Sequence, residues 1–453
     1  MKISIFIPTI LSLAISNTAL ADNTYIVSQV GNGNTAMADQ SDLTISNNLV
    51  VQTQVGDNND AEAVQINGNT NGTVIHHQQG NNNSTDSEQD GTTNTTAIIT
   101  ILGDNNNGQT TQISTSNSLM QYSITGTDNS SSSDQEFTSN STMIYTMTGT
   151  SNFGGSLQRS TSNTIMTYTL TGTNNGGGSV QEDTSNSSMQ FTMTGSDNIG
   201  SSVQSNVDFA VLTVESYGVG NVGTSPQSES INTSITVFQM GNDNSGGGGD
   251  QNSSANTSGA VVQFGNDNNG FAVRDASSNQ TSTITQYGDS NSSIIDVTSS
   301  NNSVGHTLQQ GSNNDISVTT QIVTENNHLI TQIGDNNSVD IIQSGSTHSI
   351  EVIQLGNINT LNSEQTGATS NLFAIQSGED NLINSLQDGI GVSSTLSQAG
   401  NLNEIDLTQS GQLNTSGLSQ TGSNNFLMVT QTGFSGTVNI TQLGDNNSAT
   451  HMQ

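Results

Sequence analysis

The chain has 453 residues, of which 29% are hydrophobic and only 9% are charged, and it contains no cysteine. The missing cysteines exclude disulfide frameworks and thiolate metal sites. The chain has 37 acidic residues and only three basic ones. This excludes a nucleic-acid partner, because phosphate binding needs clustered Lys and Arg.

The N-terminus has the pattern of a secretory signal. Lys2 precedes an apolar run over 3–15, and Ala19-Leu20-Ala21 is a small-residue cleavage site. We therefore predict a signal peptide over 1–21, cleaved between Ala21 and Asp22. No later segment approaches the roughly 20 apolar residues that a spanning helix needs, so no membrane span is predicted.

A short leader, 22–28, precedes a repeat that occupies 29–453. Between Gln112 and Gln227 a glutamine recurs at every twenty-third position, and from Gln332 onwards one recurs at every eleventh. Eleven residues suit one strand and one tight turn, and two such units make a rung. The sequence therefore predicts an all-β, two-strand-per-rung β-solenoid with cross-β stacking, of about 18 rungs with 22–23 residues each.

Each eleven-residue unit follows the pattern Q-x-G-x-x-N, with Gly and Asn types that favour a tight turn. The Gln and Asn side chains are predicted to face inward, where an unpaired amide would be costly. A column of identical amides satisfies itself, since each amide both donates and accepts a hydrogen bond. The predicted amide ladder consists of Gln332, Gln343, Gln354, Gln365, Gln376, Gln387, Gln398, Gln409, Gln420, Gln431, Gln442, Asn337, Asn359, Asn381, Asn403, Asn414, Asn425 and Asn447.

An aromatic column is predicted in the middle of the chain. Tyr122, Tyr145, Tyr168 and Phe191 follow one another at the same interval as the glutamines of this region. Their spacing places them on one face, flanked by methionines and aliphatic residues that recur in the same way. We interpret this aromatic ladder as core filling rather than as a ligand-binding stripe.

No catalytic, cofactor-binding or metal residues are predicted. His76 and His77 are adjacent, but the other histidines are scattered, which is not the clustering of a metal site. The Asp and Asn turns lack both the calcium β-roll and the EF-hand spacing. Whether these acidic turns bind calcium stays open. No Lys follows the signal peptide and nothing specifies a catalytic triad, so no enzyme is predicted.

The repeat resembles that of the curlin repeat family. Gln309, Gly311 and Asn314 match the central part of the family repeat, and the frame recurs in phase over nearly all of 29–453. The resemblance implies a secreted subunit of curli, the amyloid fibres of the biofilm matrix and of surface adhesion. It further implies a homopolymer at the cell surface, a nucleator subunit, and the outer-membrane curli secretion machinery as partners. The chain departs from the family in having many more repeats and almost no Gly-rich leader.

We therefore expect a structural subunit that assembles at exposed solenoid ends. Acids at turn and outward sites are expected to slow assembly by repulsion, which weakens as pH falls. Two alternatives stay open. Outward threonine rows, such as Thr148, Thr171 and Thr194, are typical of ice-binding solenoids, and a non-polymerising adhesin stalk would have the same fold.

Overall fold

The computed structural model describes residues 23–248 and 251–453, and all regular structure in these residues is β-strand. The signal peptide and cleavage site predicted at 1–21 and Asp22 lie outside the described residues. The fold prediction is confirmed: the chain forms a parallel β-solenoid of about 18 turns with two sheets. It divides after Val214 into two compact units, the N-terminal unit and the C-terminal unit.

In the N-terminal unit, each rung contributes one strand to each of two sheets. Sheet A contains β1 (Thr24–Val30), β3 (Leu49–Val55), β5 (Thr73–Gln79), β7 (Thr96–Asp104), β9 (Leu119–Thr127), β11 (Thr142–Thr150), β14 (Ile165–Thr173) and β16 (Ser188–Ser196). Sheet B contains β2 (Thr35–Asp39), β4 (Asp60–Ile66), β6 (Ser84–Asp90), β8 (Asn107–Ile113), β10 (Ser130–Glu136), β12 (Phe153–Gly154), β13 (Leu157–Arg159), β15 (Gly176–Glu182) and β17 (Ile199–Ser205). β1 begins inside the segment predicted as a leader.

The C-terminal unit repeats the same two-sheet plan. The unit boundary falls within β18 (Val211–Val219). In this unit sheet A contains β21 (Ser234–Asn242), β24 (Ser258–Phe264), β26 (Thr281–Tyr287), β28 (Val304–Gln310), β30 (Asn327–Ile333), β32 (Ser349–Asn357), β34 (Asn371–Glu379), β36 (Ser393–Asn401), β38 (Thr415–Ser423) and β40 (Thr437–Leu443).

Sheet B of the C-terminal unit is less regular where it starts. It contains β19 (Val222–Thr224), β20 (Gln227–Ser228), β22 (Ser245–Gly247), β23 (Gln251–Asn252), β25 (Asn269–Asp275), β27 (Ser292–Thr298), β29 (Asp315–Thr324), β31 (Ser338–Ser346), β33 (Thr360–Ala368), β35 (Leu382–Ile390), β37 (Glu404–Gln412), β39 (Phe426–Phe434) and β41 (Ser448–Met452). The four shortest strands, β19, β20, β22 and β23, have only two or three residues each.

Neighbouring rungs pair in parallel with identical positions opposite one another. In the C-terminal unit Gln309 pairs with Gln332, whereas Gln332 pairs with Gln354, so that the second step along the chain is one residue shorter than the first. A bulge at Ile322 in β29 absorbs the extra residue where the repeat shortens. Because one-residue slips would turn every side chain to the opposite face, the bulge keeps the inward set inward.

The core of each unit is the thin space between its two sheets. Strand residues alternate between buried and exposed, as in β39, where Leu427, Val429 and Gln431 are buried. In the C-terminal unit, aliphatic side chains from Ile316 to Val438 form one continuous cluster. This period-two burial is the pattern that the spacing of apolar residues predicts.

Candidate functional site

The candidate functional site is the set of side-chain columns that joins one rung to the next. Eleven predicted glutamines of the C-terminal unit form two such columns. Gln332, Gln354, Gln376, Gln398, Gln420 and Gln442 stack in sheet A, and Gln343, Gln365, Gln387, Gln409 and Gln431 stack in sheet B. Within each column the Nε2 of one residue donates to the Oε1 of the next at 2.7–3.1 Å.

The sheet A glutamines also tie the two sheets together. Gln376 Nε2 donates its other proton to the backbone oxygen of Thr360, 2.9 Å away in sheet B, and Gln398 does the same to Leu382. The side chains of both glutamines are fully buried. Since the amide nitrogen is paired along the column and across the core, the desolvation cost of burying it is offset.

The asparagine column runs in the opposite direction. The Nδ2 of Asn359 donates back to the Oδ1 of Asn337 at 3.1 Å, and the backbone N–H of Asn359 donates to the same oxygen. The pattern repeats through Asn381, Asn403, Asn425 and Asn447. The bonds between amide side chains therefore run toward the C-terminal rungs in the glutamine columns and toward the N-terminal rungs in the asparagine column.

The structure does not bring Asn414 into this column. Asn414 lies in the turn that follows sheet B, where its Nδ2 donates to the backbone of Ser410 at 2.7 Å and its Oδ1 accepts from the N–H of Gly436. The equivalent positions on neighbouring rungs are Val392 and Gly436. An eleven-residue period treats the turn after sheet A and the turn after sheet B as equivalent. The sequence pattern therefore does not show that Asn414 and the asparagines of the column lie in different turns.

The turn glycines form a column in which no side chain fits. Gly172 has φ of +120°, and a Cβ built on it would lie 1.9 Å from the backbone oxygen of Gly195. Gly149 makes the same approach to Gly172. Glycine is therefore needed twice over, for its positive φ and for the close stacking of turn on turn.

The aromatic ladder lies in the core of the N-terminal unit. Tyr122, Tyr145, Tyr168 and Phe191 are fully buried, with ring centroids 5.2, 4.8 and 4.6 Å apart along the column and nearly parallel planes. Tyr145 and Tyr168 hydrogen-bond through their hydroxyls to serines of sheet B. Burial raises the pKa of the three tyrosines, so their hydroxyls stay protonated at alkaline pH values where an exposed tyrosine would ionise.

A ladder that the sequence reasoning missed follows sheet B in the N-terminal unit. Buried hydroxyls at Ser118, Ser141 and Thr164 hydrogen-bond with those of neighbouring turns. Outside them, the exposed Nδ2 of Asn94 donates to Asn117 Oδ1 at 3.1 Å. The sequence contains the pattern that could have predicted this ladder. Four similar segments recur with the period of the rung: Thr115–Ser118, Thr138–Ser141, Thr161–Thr164 and Thr184–Ser187.

The sheet B glutamine column of the C-terminal unit is interrupted by Arg274. In register order the column reads Gln251, Arg274, Val297 and Thr320 before it resumes at Gln343. The Arg274 side chain is fully buried, and its three guanidinium nitrogens have no hydrogen-bond partner among the described residues. Burial lowers the pKa of Arg274 to about 10, so the group stays charged at neutral pH.

Two buried histidines have strongly shifted pKa values. Burial lowers the pKa of His76 to about 3, and burial with a smaller contribution from the charge of His306 lowers that of His328 to about 4. His76 Nε2 lies 2.7 Å from the Ser87 hydroxyl. No group of three or more His, Cys, Asp or Glu side chains in residues 23–248 and 251–453 could hold a metal ion.

One family comparison gives a match. Residues 400–433 match the curlin associated repeat, which supports the resemblance to the curlin repeat family. The matched segment contains Gln409, Gln420 and Gln431 of the columns described above. No curated protein gives a significant match to the chain. None of the described segments is a helix with the length and apolar content to cross a membrane. The repeat and the solenoid are consistent with a structural repeat protein.

Proposed function

We propose that the chain is the secreted structural subunit of curli-like amyloid fibres, which grow by adding rungs at exposed solenoid ends. The observation that carries the proposal is the direction of the ladders. At one end, β40 pairs with β38 alone and β41 with β39 alone among the described strands. Strands with a free edge recruit further strands.

The two terminal rungs are chemically complementary. Gln442 Nε2 donates one proton to the Phe426 backbone, which leaves its other proton for a further rung. At the opposite end, Gln29 donates to Gln54, and its own Oε1 has no partner among the described residues. Asn447 and Asn34 are complementary in the reverse sense, because the Oδ1 of Asn447 accepts no hydrogen bond from the described residues. Head-to-tail stacking of two copies would therefore continue both columns without an unpaired amide.

The test compares two variants that carry the same charge. Gln442→Glu replaces the outgoing donor by a carboxylate, whereas Thr441→Glu places the same carboxylate on the adjacent solvent-facing position. We expect wild type and Thr441→Glu to form filaments that bind amyloid dyes and give a reflection near ~4.8 Å. Gln442→Glu should elongate at least tenfold more slowly. Equal elongation rates of the two variants would contradict growth at this rung.

The remaining parts of the proposal concern the cellular setting. We assign the fibre to the cell surface and the biofilm matrix, with adhesion as its role. The proposed partners are further copies of the chain, a nucleator subunit and the outer-membrane curli secretion machinery. Deleting that machinery in the source organism should retain the protein inside the cell envelope. Immunogold labelling of the cell surface should then be lost.

Ice binding is a second candidate because of one observation. Thr148, Thr171 and Thr194 lie in register on the outer face of sheet A, and a second row runs beside them, with 3.4 Å between the Thr127 and Thr150 hydroxyls. Thermal hysteresis of freshly released monomer separates the candidates. Strong hysteresis without filaments favours ice binding, and a persistent micromolar monomer without hysteresis favours an adhesin stalk.

A further inference from the structure

The acids of the C-terminal unit are distributed unequally over its two outer faces. On sheet A, from β21 to β40, each strand presents outward-facing residues up to the one that follows its ladder glutamine. One carboxylate, Glu351, lies among these residues. The outer face of sheet B carries seven between β27 and β37. These are Asp296, Asp315, Asp340, Glu364, Asp388, Glu404 and Asp406. A chain with a net charge of -34 therefore has one face that is almost free of charge.

This sheet A face carries an apolar stripe, which we define as Phe264, Tyr287, Leu308, Ile333, Ile353 and Leu355. Tyr287 is 44% exposed, and Ile333 and Leu355 are each 39% exposed. The rings of Phe264 and Tyr287 stack with centroids 5.1 Å apart and planes within 5°. The strand pairing places Phe264, Tyr287, Ile333 and Leu355 in one row, with Gln310 between Tyr287 and Ile333. Leu308 and Ile353 lie in the adjacent row on either side of Thr331. Because the paired strands fix these positions, little backbone freedom is left to lose on binding.

We infer that the apolar stripe is the face through which two copies of this chain pack, sheet A against sheet A. A two-fold contact places the same patch on both copies, so both contribute apolar surface and neither contributes a dense row of acids. A basic partner would instead be attracted to sheet B. The stripe lies on five of the seven sheet A strands from β21 to β34. The seven strands span about 34 Å at the usual strand spacing, and with a width of about 20 Å the whole face, the stripe and its polar flanks together, has about 700 Å². That is close to the ~800 Å² per partner of a stable interface.

Lateral pairing through sheet A is a different contact from growth at the solenoid ends. The two are therefore measured separately in the same filaments. Dye binding and the ~4.8 Å reflection report end-to-end growth, whereas mass per unit length, from scanning transmission electron microscopy, reports how many solenoids lie side by side. Paired solenoids have twice the mass per length of a single one.

Two matched substitutions test the face. Ile333→Glu charges the stripe, and Ile294→Glu places the same residue on the outer face of sheet B, where Ile294 is 40% exposed. Both positions face outward, so the core and ladders are left unchanged. We expect doubled mass per length for wild type and Ile294→Glu, and a twofold lower value for Ile333→Glu with unchanged dye binding.

Single-width wild-type filaments, or equal mass per length in both variants, would overturn the inference. If no filaments form, the proposed function fails, and sedimentation velocity of the soluble chain then decides the lateral contact. Wild type and Ile294→Glu should sediment as dimers and Ile333→Glu as a monomer. A wild-type monomer that binds neutral lipid vesicles through the stripe would assign the face to a membrane surface instead and refute pairing.

Discussion

Arg274 differs from every other residue in the ladders because it can donate but cannot accept. A glutamine at its place would be neutral and could both donate and accept hydrogen bonds. The guanidinium remains charged in proteins, and burying an unpaired charge costs several kcal/mol. Space for it comes from Gly259, where an added Cβ would lie 2.6 Å from Arg274 Nη2. The local cost coincides with two of the short strands of sheet B, β22 and β23.

Replacing Arg274 by glutamine is predicted to stabilise the C-terminal unit. Arg274→Gln replaces the buried charge by a neutral amide, which should raise the free energy of unfolding by about 1–3 kcal/mol. Urea denaturation and hydrogen exchange of β25 measure the effect. Arg159→Gln is the control, since Arg159 is a surface residue paired with Glu136 at 2.8 Å. A less stable Arg274→Gln variant would show that the guanidinium has a stabilising partner.

At the scale of the element, the turn after sheet A decides whether rungs can stack. Each turn brings a glycine against the backbone of the next, and the asparagine that follows donates to the next glycine oxygen, as Asn175 does to Gly195 at 2.9 Å. The Q-x-G-x-x-N pattern predicted the glycine for its positive φ. The contact with the next turn was not predictable, because it depends on the distance between rungs.

Gly172→Ala is predicted to destabilise the stacking of β14 on β16. The new Cβ would collide with the Gly195 oxygen, and alanine disfavours a φ of +120°. We expect a loss of at least about 2 kcal/mol in the free energy of unfolding of the N-terminal unit. Circular dichroism during urea denaturation measures it. Thr173→Ala, in the same turn, should behave like wild type, and an equal loss in both variants would contradict the steric explanation.

At the scale of the whole molecule, the amide ladders and the acidic residues have opposite effects on assembly. The ladders favour the addition of rungs, while 37 acidic residues make copies repel one another. Within the fold, the pKa values of some acidic residues are shifted by burial and by neighbouring charges. Burial, then the charges of Glu88 and Asp60, raises the pKa of Asp86, and burial, then Asp406, raises that of Glu404. A pKa raised in the fold means that stability is gained as pH falls through it.

The buried histidines act in the opposite sense. The pKa values of His76 and His328 are lowered to about 3 and about 4. Below about pH 6.5 the unfolded chain takes up protons that the folded chain does not, so these residues lower stability as pH falls toward those values. Acid alone therefore does not isolate the repulsion between carboxylates.

Salt at neutral pH isolates that repulsion. At constant pH 7, raising the salt concentration from about 0.01 to about 0.15 M shortens the screening length from about 30 to about 8 Å. We predict that filament elongation accelerates severalfold, as followed by dye fluorescence with seeds of fixed number. A neutral osmolyte at the same osmolality is the control. An elongation rate that is unchanged or slower in salt would contradict a brake by acidic residues.

The sequence by itself determined the repeat, the two strands per rung, the inward amides and the aromatic column, since each depends on spacing that is written in the chain. A fixed period can place like residues on top of one another, but it cannot say which way an amide points or which turn a position occupies. Only the tertiary structure decided the opposite directions of the glutamine and asparagine ladders, the separate place of Asn414 and the burial of Arg274 with no hydrogen-bond partner among the described residues. These depend on the distance and rotation between rungs and on the packing of one sheet against the other, which no single eleven-residue unit contains.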